Sequence, residues 1–129
     1  MSSLLAREDQ RRLLALWVGI LVPPAAWSVH LLLGYLLVTV ACAGSWSELV
    51  LDLLLHGLTL VLGVVTIGSA VVAWRAGQAE GEPGAASAEA RERRAFMAHV
   101  GTSLGALFLL LILAGDIPNF VVSPCGYGR

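Results

Sequence analysis

The sequence predicts an all-α integral membrane protein, a three-helix bundle with its N-terminus in the cytoplasm and its C-terminus in the periplasm. Three observations predict it. The 129 residues are 57% hydrophobic and 13% charged, with a mean hydropathy of +0.81, far more apolar than a soluble domain. Three apolar runs, 13–43, 49–74 and 96–115, each reach the ~20 residues that cross a hydrocarbon core of about 30 Å. The arginines lie on one side: Arg7, Arg11 and Arg12 precede the first run, Arg75, Arg91, Arg93 and Arg94 flank the second connection, and only Arg129 lies opposite. The positive-inside rule reads that side as cytoplasmic.

The first span is long enough to tilt or to project beyond the core. Pro23-Pro24 predicts a kink, because proline removes a ladder hydrogen bond and clashes with the preceding turn. Residues 1–28 also admit a reading as a signal peptide, with Arg11-Arg12 before the apolar region, but that region continues well past any cleavage site at "PPAAWS". The outer connection "AGSWSE" is a tight turn in which Ser45 or Ser47 caps the next helix and Trp46 sits at headgroup level. Spans one and two are therefore antiparallel neighbours. The cytoplasmic linker, 76–94, begins rich in Gly, Ala and Pro and ends as the charged run "AEARERR", a solvated helix start and topology signal. Residues 116–129 read as a periplasmic tail.

Each of the three histidines falls on a different span: His30, His56 and His99. Helix rise puts them about 16, 10 and 22 Å below the outer end, a staircase with steps of about 6 Å. At ~100° per residue, His30 shares a stripe of the first span with Pro23, Ala26, Gly34, Leu37 and Ala41. Asp52, His56, Gly63, Ala70 and Trp74 align on the second, with Thr59 and Thr66 nearby, and Asp52 is placed to accept a hydrogen bond from the His56 imidazole. On the third, His99 aligns with Ser103 and Ala106, while Gly101 and Gly105 form a GxxxG pair where backbones approach. These residues predict a polar helix-packing seam: His30, Gly34, Asp52, His56, Gly63, His99, Gly101 and Gly105.

Three readings of the histidines stand together at this level. They are packing residues bonded to neighbouring helices; or His30 and His56 ligate a b-type haem between helices, against which the vertical offset counts; or Asp52, His56, His30, Thr39 and Tyr35 form a proton path. Both cysteines fall outside, and the oxidising periplasm favours a Cys42–Cys125 disulfide that staples the tail across the bundle mouth. The alternative is a pair of thiolates on a soft metal such as Cu(I), although no histidine or methionine clusters beside them. All eight basic residues are arginine and the net charge is −1, which leaves no polybasic surface for nucleic acid. No phosphate loop, nucleophile elbow, paired-cysteine or HExxH motif occurs, so no enzyme activity is expected. The Ala, Leu, Gly, Val and Arg bias, without lysine, suggests a GC-rich bacterial genome.

The stretches "PPAAWSVHLLLGYLLVTVAC", "LHGLTLVLG" with "AWR", and "RRAFMAHVGTSLGALFLLLILAGDIPNFVVSPC" resemble a family of small three-span membrane proteins. These are encoded beside haem-copper cytochrome c oxidase genes in GC-rich bacteria, and the family has no assigned reaction. His30, Tyr35, Cys42, His56, Arg94 and Cys125 match its pattern, and His99 sits where that pattern is loose. The resemblance implies a place in the bacterial inner membrane, as an accessory subunit or assembly partner of a respiratory oxidase or its supercomplex. Its partners are then other oxidase subunits and the lipid bilayer. The resemblance brings no catalytic residues; no cofactor is expected, the alternative being a haem b- or copper-binding protein that serves electron transfer or oxidase maturation.

Overall fold

The computed structural model describes residues 2–78 and 88–126. They form three helices: α1, Ser2–Ala43; α2, Glu48–Gln78; and α3, Ala88–Val121. Each packs against both others, and each is long and apolar enough to cross a membrane. The helices overrun the apolar runs. α1 begins 11 residues before position 13, because "SSLLAREDQRR" is composed of good helix formers. α3 extends six residues into the stretch read as a tail. The middle of the expected linker, 79–87, lies outside the described residues.

The interior is the reverse of a soluble core. The buried positions are mostly small or polar: Gly19, Pro23, Ala26 and His30 on α1, Thr59, Gly63, Thr66, Ser69 and Ala73 on α2, and Ala98, Gly101 and Gly105 on α3. Most leucines and valines face outward, with Leu32 70% and Val64 68% exposed. Lipid tails are as apolar as leucine, so helices in lipid are held by close packing of small residues. In water the same surface is a liability.

Gly19, Ala73 and Gly101 form the tightest crossing. A Cβ on Gly19 would collide with that of Ala73, and one on Gly101 would lie 3.2 Å from the carbonyl carbon of Gly19 and 3.3 Å from its oxygen. Pro23 sits four residues after Gly19 and has no N–H to give that carbonyl. Of the two carbonyls that Pro23 and Pro24 leave without a ladder donor, Gly19 and Ile20, the first is the one Gly101 covers. α1 nevertheless runs through Pro23 and Pro24 as one helix, with the Ser28 hydroxyl donating to the Pro24 carbonyl at 2.9 Å.

Both ends are tied. At the arginine-rich end the Arg94 guanidinium donates to the Asp9 carboxylate, linking α3 to α1. At the other end Cys42 and Cys125 are joined, with Cα atoms 5.5 Å apart, above a small core of Ala41, Leu51 and Leu55. Ser47 caps α2, accepting the Val50 N–H at 3.4 Å. The Trp46 ring folds over Gly44.

Candidate functional site: a polar cluster beneath the disulfide

His30 comes from the buried stripe of α1 and is 7% exposed. Its Nε2 lies 3.0 Å from the Thr59 Oγ1 on α2, and that hydroxyl lies 3.1 Å from the Leu55 carbonyl. The single hydroxyl hydrogen goes to the carbonyl, so Thr59 must accept from His30 and the proton sits on Nε2. The Nδ1 lone pair is then buried without a partner. It faces Gly115, where a Cβ would lie 3.7 Å from Nδ1 and 3.3 Å from Cε1. Any side chain at 115 would press on the ring, which would have to give by a few tenths of an ångström.

His56 is held by its own helix. Its Nδ1 donates to the Asp52 backbone carbonyl at 2.8 Å, whereas the Asp52 carboxylate is 4.0 Å away and half-exposed. Asp52 therefore fixes the tautomer through its main chain, not through the side chain that the i, i+4 spacing pointed to. The other nitrogen, Nε2, faces the Asp116 Oδ2 at 3.9 Å, beyond hydrogen-bond length, so that contact is electrostatic. Phe120 meets the imidazole edge-on, with ring centroids 4.4 Å apart.

Asp116 is the functional residue that sequence reasoning missed. It is 6% exposed, accepts from the Asn119 side-chain amide at 2.9 Å, and faces His56 across the α2–α3 contact. Gly115 and Pro118 look like a helix stop, which puts the acid between them in the tail. The missing signal was its neighbourhood: an acid inside the run "LILAGDIPNFVV" with Asn at i+3 and an aromatic at i+4.

The remaining seam residues divide. Gly63, Gly101 and Gly105 are buried at helix contacts: a Cβ on Gly63 would meet Leu109 at 3.6 Å, and one on Gly105 would meet Ala70 at 2.7 Å. Gly34 has nothing within 4 Å of a Cβ position, and His99 is exposed, stacked on Trp74 with ring centroids 5.9 Å apart. Neither belongs to the seam: periodicity groups residues on a face but does not say which face meets a neighbour. Tyr35 is 77% exposed and the Thr39 hydroxyl donates to the Tyr35 carbonyl at 2.7 Å, so neither extends the cluster into a proton path. The copper reading loses its thiolates to the disulfide.

For haem ligation between His30 and His56 the donor set fits poorly. The four ring nitrogens face Thr59, Gly115, the Asp52 carbonyl and Asp116, and so do not converge on a common point. Among the described residues no group of three or more His, Cys, Asp or Glu is placed to hold a metal ion. What the arrangement offers is a buried polar contact between α2 and α3. With the Nδ1 proton of His56 given to the Asp52 carbonyl, its Nε2 is the nitrogen turned toward the Asp116 carboxylate.

The amide of an Asp116→Asn variant keeps the shape of the carboxylate and still accepts from Asn119, so its expected loss of stability is under about 1 kcal/mol. Asp116→Leu leaves the Asn119 amide unpartnered and is expected to lose about 1–2 kcal/mol. Thermal unfolding in one detergent compares the two; equal losses refute a hydrogen-bonded role for the carboxyl. No protein-family model, curated protein or solved structure matches the chain.

Proposed function

We propose that the chain is a three-span protein of the bacterial inner membrane, N-terminus in the cytoplasm and C-terminus in the periplasm. In this reading it is a non-catalytic accessory subunit, or assembly partner, of a respiratory haem-copper oxidase or its supercomplex. The membrane part is supported by the three apolar helices, and the orientation by the arginines gathered at one end. The oxidase part rests on the resemblance of the motifs around His30, His56, Arg94 and Cys125.

One observation favours a packing role over a chemical one. Two ionisable groups in the outer half, His30 and Asp116, are buried between the helices, whereas the outward faces are mostly apolar and carry three glycines, Gly34, Gly57 and Gly68, with no atom near their Cβ positions. Glycines on a lipid-facing surface weaken a helix unless another backbone comes close to them. A larger membrane subunit seated on these faces gives them that neighbour.

Purification of the tagged chain from native membranes in mild detergent tests the proposal. The expected result is co-migration with haem-copper oxidase subunits and no Soret band from the chain alone. A Soret band lost in His30→Ala or His56→Ala, or a pull-down without respiratory subunits, overturns it.

A further inference from the structure

At the arginine-rich end a groove of about 300 Å³ opens between α2 and α3. Its floor is the crossing of Gly105 and Ala70, where a Cβ on the glycine would lie 2.7 Å from that of the alanine. Two helices that approach this closely on small residues leave a trough above the contact, walled by the larger side chains on either side. Ile67 and Leu109 close its deep end, and Trp74 and Arg75 stand at its mouth. The eight helical steps from Ile67 to Arg75 rise about 12 Å, close to the ~15 Å depth of one bilayer leaflet.

The groove is apolar along its length and cationic at its mouth. Thr102, the polar residue inside it, donates its hydroxyl to the Ala98 carbonyl at 2.8 Å and has no hydrogen left to offer. Arg75 is exposed and, among the described residues, has no acidic partner, whereas Arg94 is paired with Asp9. Beside it the Trp74 indole is stacked on the exposed His99 ring, with 7° between their planes. Tryptophan favours headgroup level, and the histidine adds a hydrogen-bonding edge there.

We propose that this groove is a binding site for one anionic phospholipid, an acyl chain lying over Gly105 and Ala70 and the phosphate meeting Arg75 beside His99. A single cation ending an apolar trough is complementary to an amphiphile with one charged head; an apolar partner helix would leave that cation without an acceptor. Basic pockets between spanning helices on the cytoplasmic side bind such headgroups. The inference rests on the membrane reading and is independent of the oxidase assignment.

Native mass spectrometry of the full chain, in micelles doped with equal phosphatidylglycerol and phosphatidylcholine, tests it. One lysine or arginine near a lipid surface is worth about 1 kcal/mol, or about fivefold, so phosphatidylglycerol adducts are expected to outnumber phosphatidylcholine adducts by roughly that factor. Arg75→Gln should bring the ratio to one, Ala106→Phe should remove both adducts by filling the trough, and Arg91→Gln, away from the groove, should change neither. Equal retention of the two lipids, or an unchanged ratio in Arg75→Gln, overturns the site. So does displacement of phosphatidylglycerol by inorganic phosphate alone, or a second copy of the chain found in place of lipid. Carbonate extraction separates the failures: a chain that stays in the membrane pellet yet retains no phosphatidylglycerol refutes only the lipid site, and a chain released to the supernatant refutes the membrane reading with it.

Discussion

Gly101→Leu is expected to separate α1 from α3 and abolish cooperative unfolding of the bundle. A Cβ at position 101 already meets the Gly19 carbonyl at 3.2–3.3 Å and the Ala73 side chain at 3.4 Å. The first of these obstacles is backbone, which cannot turn aside as a flexible side chain does. Gly101→Ala, a single methyl, is expected to lose about 1–3 kcal/mol by overpacking, and the four carbons of leucine more than that. Net association of three such helices in lipid rests on contacts worth about 1 kcal/mol each, so the leucine loss exceeds what the rest of the crossing supplies. Gly68→Leu is the matched control, because nothing lies within 4 Å of its Cβ position. Detergent titration followed by tryptophan fluorescence should give a lost transition for Gly101→Leu and a native one for Gly68→Leu. Native unfolding of both would refute the crossing.

The same comparison shows where local pattern ends. Gly101 and Gly105 form a recognisable pair because their spacing is a property of one helix. Gly19 lies in "LWVGILVPP" with no small partner at i+4, and only the approach of α2 and α3 makes it indispensable. Likewise, the 100° projection puts Gly34 on the stripe of His30, but α1 leaves that position without a neighbour while His30 reaches Thr59.

Asp116 was obscured by a different effect. Pro118 deprives only the Ala114 carbonyl of its ladder donor, and the helix continues to Val121, with the Val122 N–H bonding the Pro118 carbonyl at 2.9 Å. A stop signal near a helix end is weak when the turns beyond it are held by tertiary contacts. Here those contacts are Phe120 on His56 and the disulfide that follows, with the Asn119–Asp116 bond holding the turn from within the helix.

Removal of that disulfide is the second large effect expected. The two cysteines are 83 residues apart, and for a fully flexible unfolded chain the closed loop stabilises the fold by about 4.5 kcal/mol. In a membrane the three helices persist when the bundle comes apart, so few of those residues gain freedom, and about 2 kcal/mol is the expected loss in Cys42→Ser/Cys125→Ser. The loss should also have a place. Cys125 packs against the core of Ala41, Leu51 and Leu55, and its release frees the chain immediately after the turn that carries Asn119 and Phe120. Fraying of that turn loosens Asp116 and His56, so amide hydrogen exchange should rise across residues 116–122 and not at the Gly19–Gly101 crossing. Because the staple and the cluster hold the same turn, adding Asp116→Leu to the disulfide-free variant should lose less than the sum of the separate changes. Strict additivity in thermal unfolding, with unchanged exchange at 116–122, would show that the disulfide ties the ends without ordering the site beneath it.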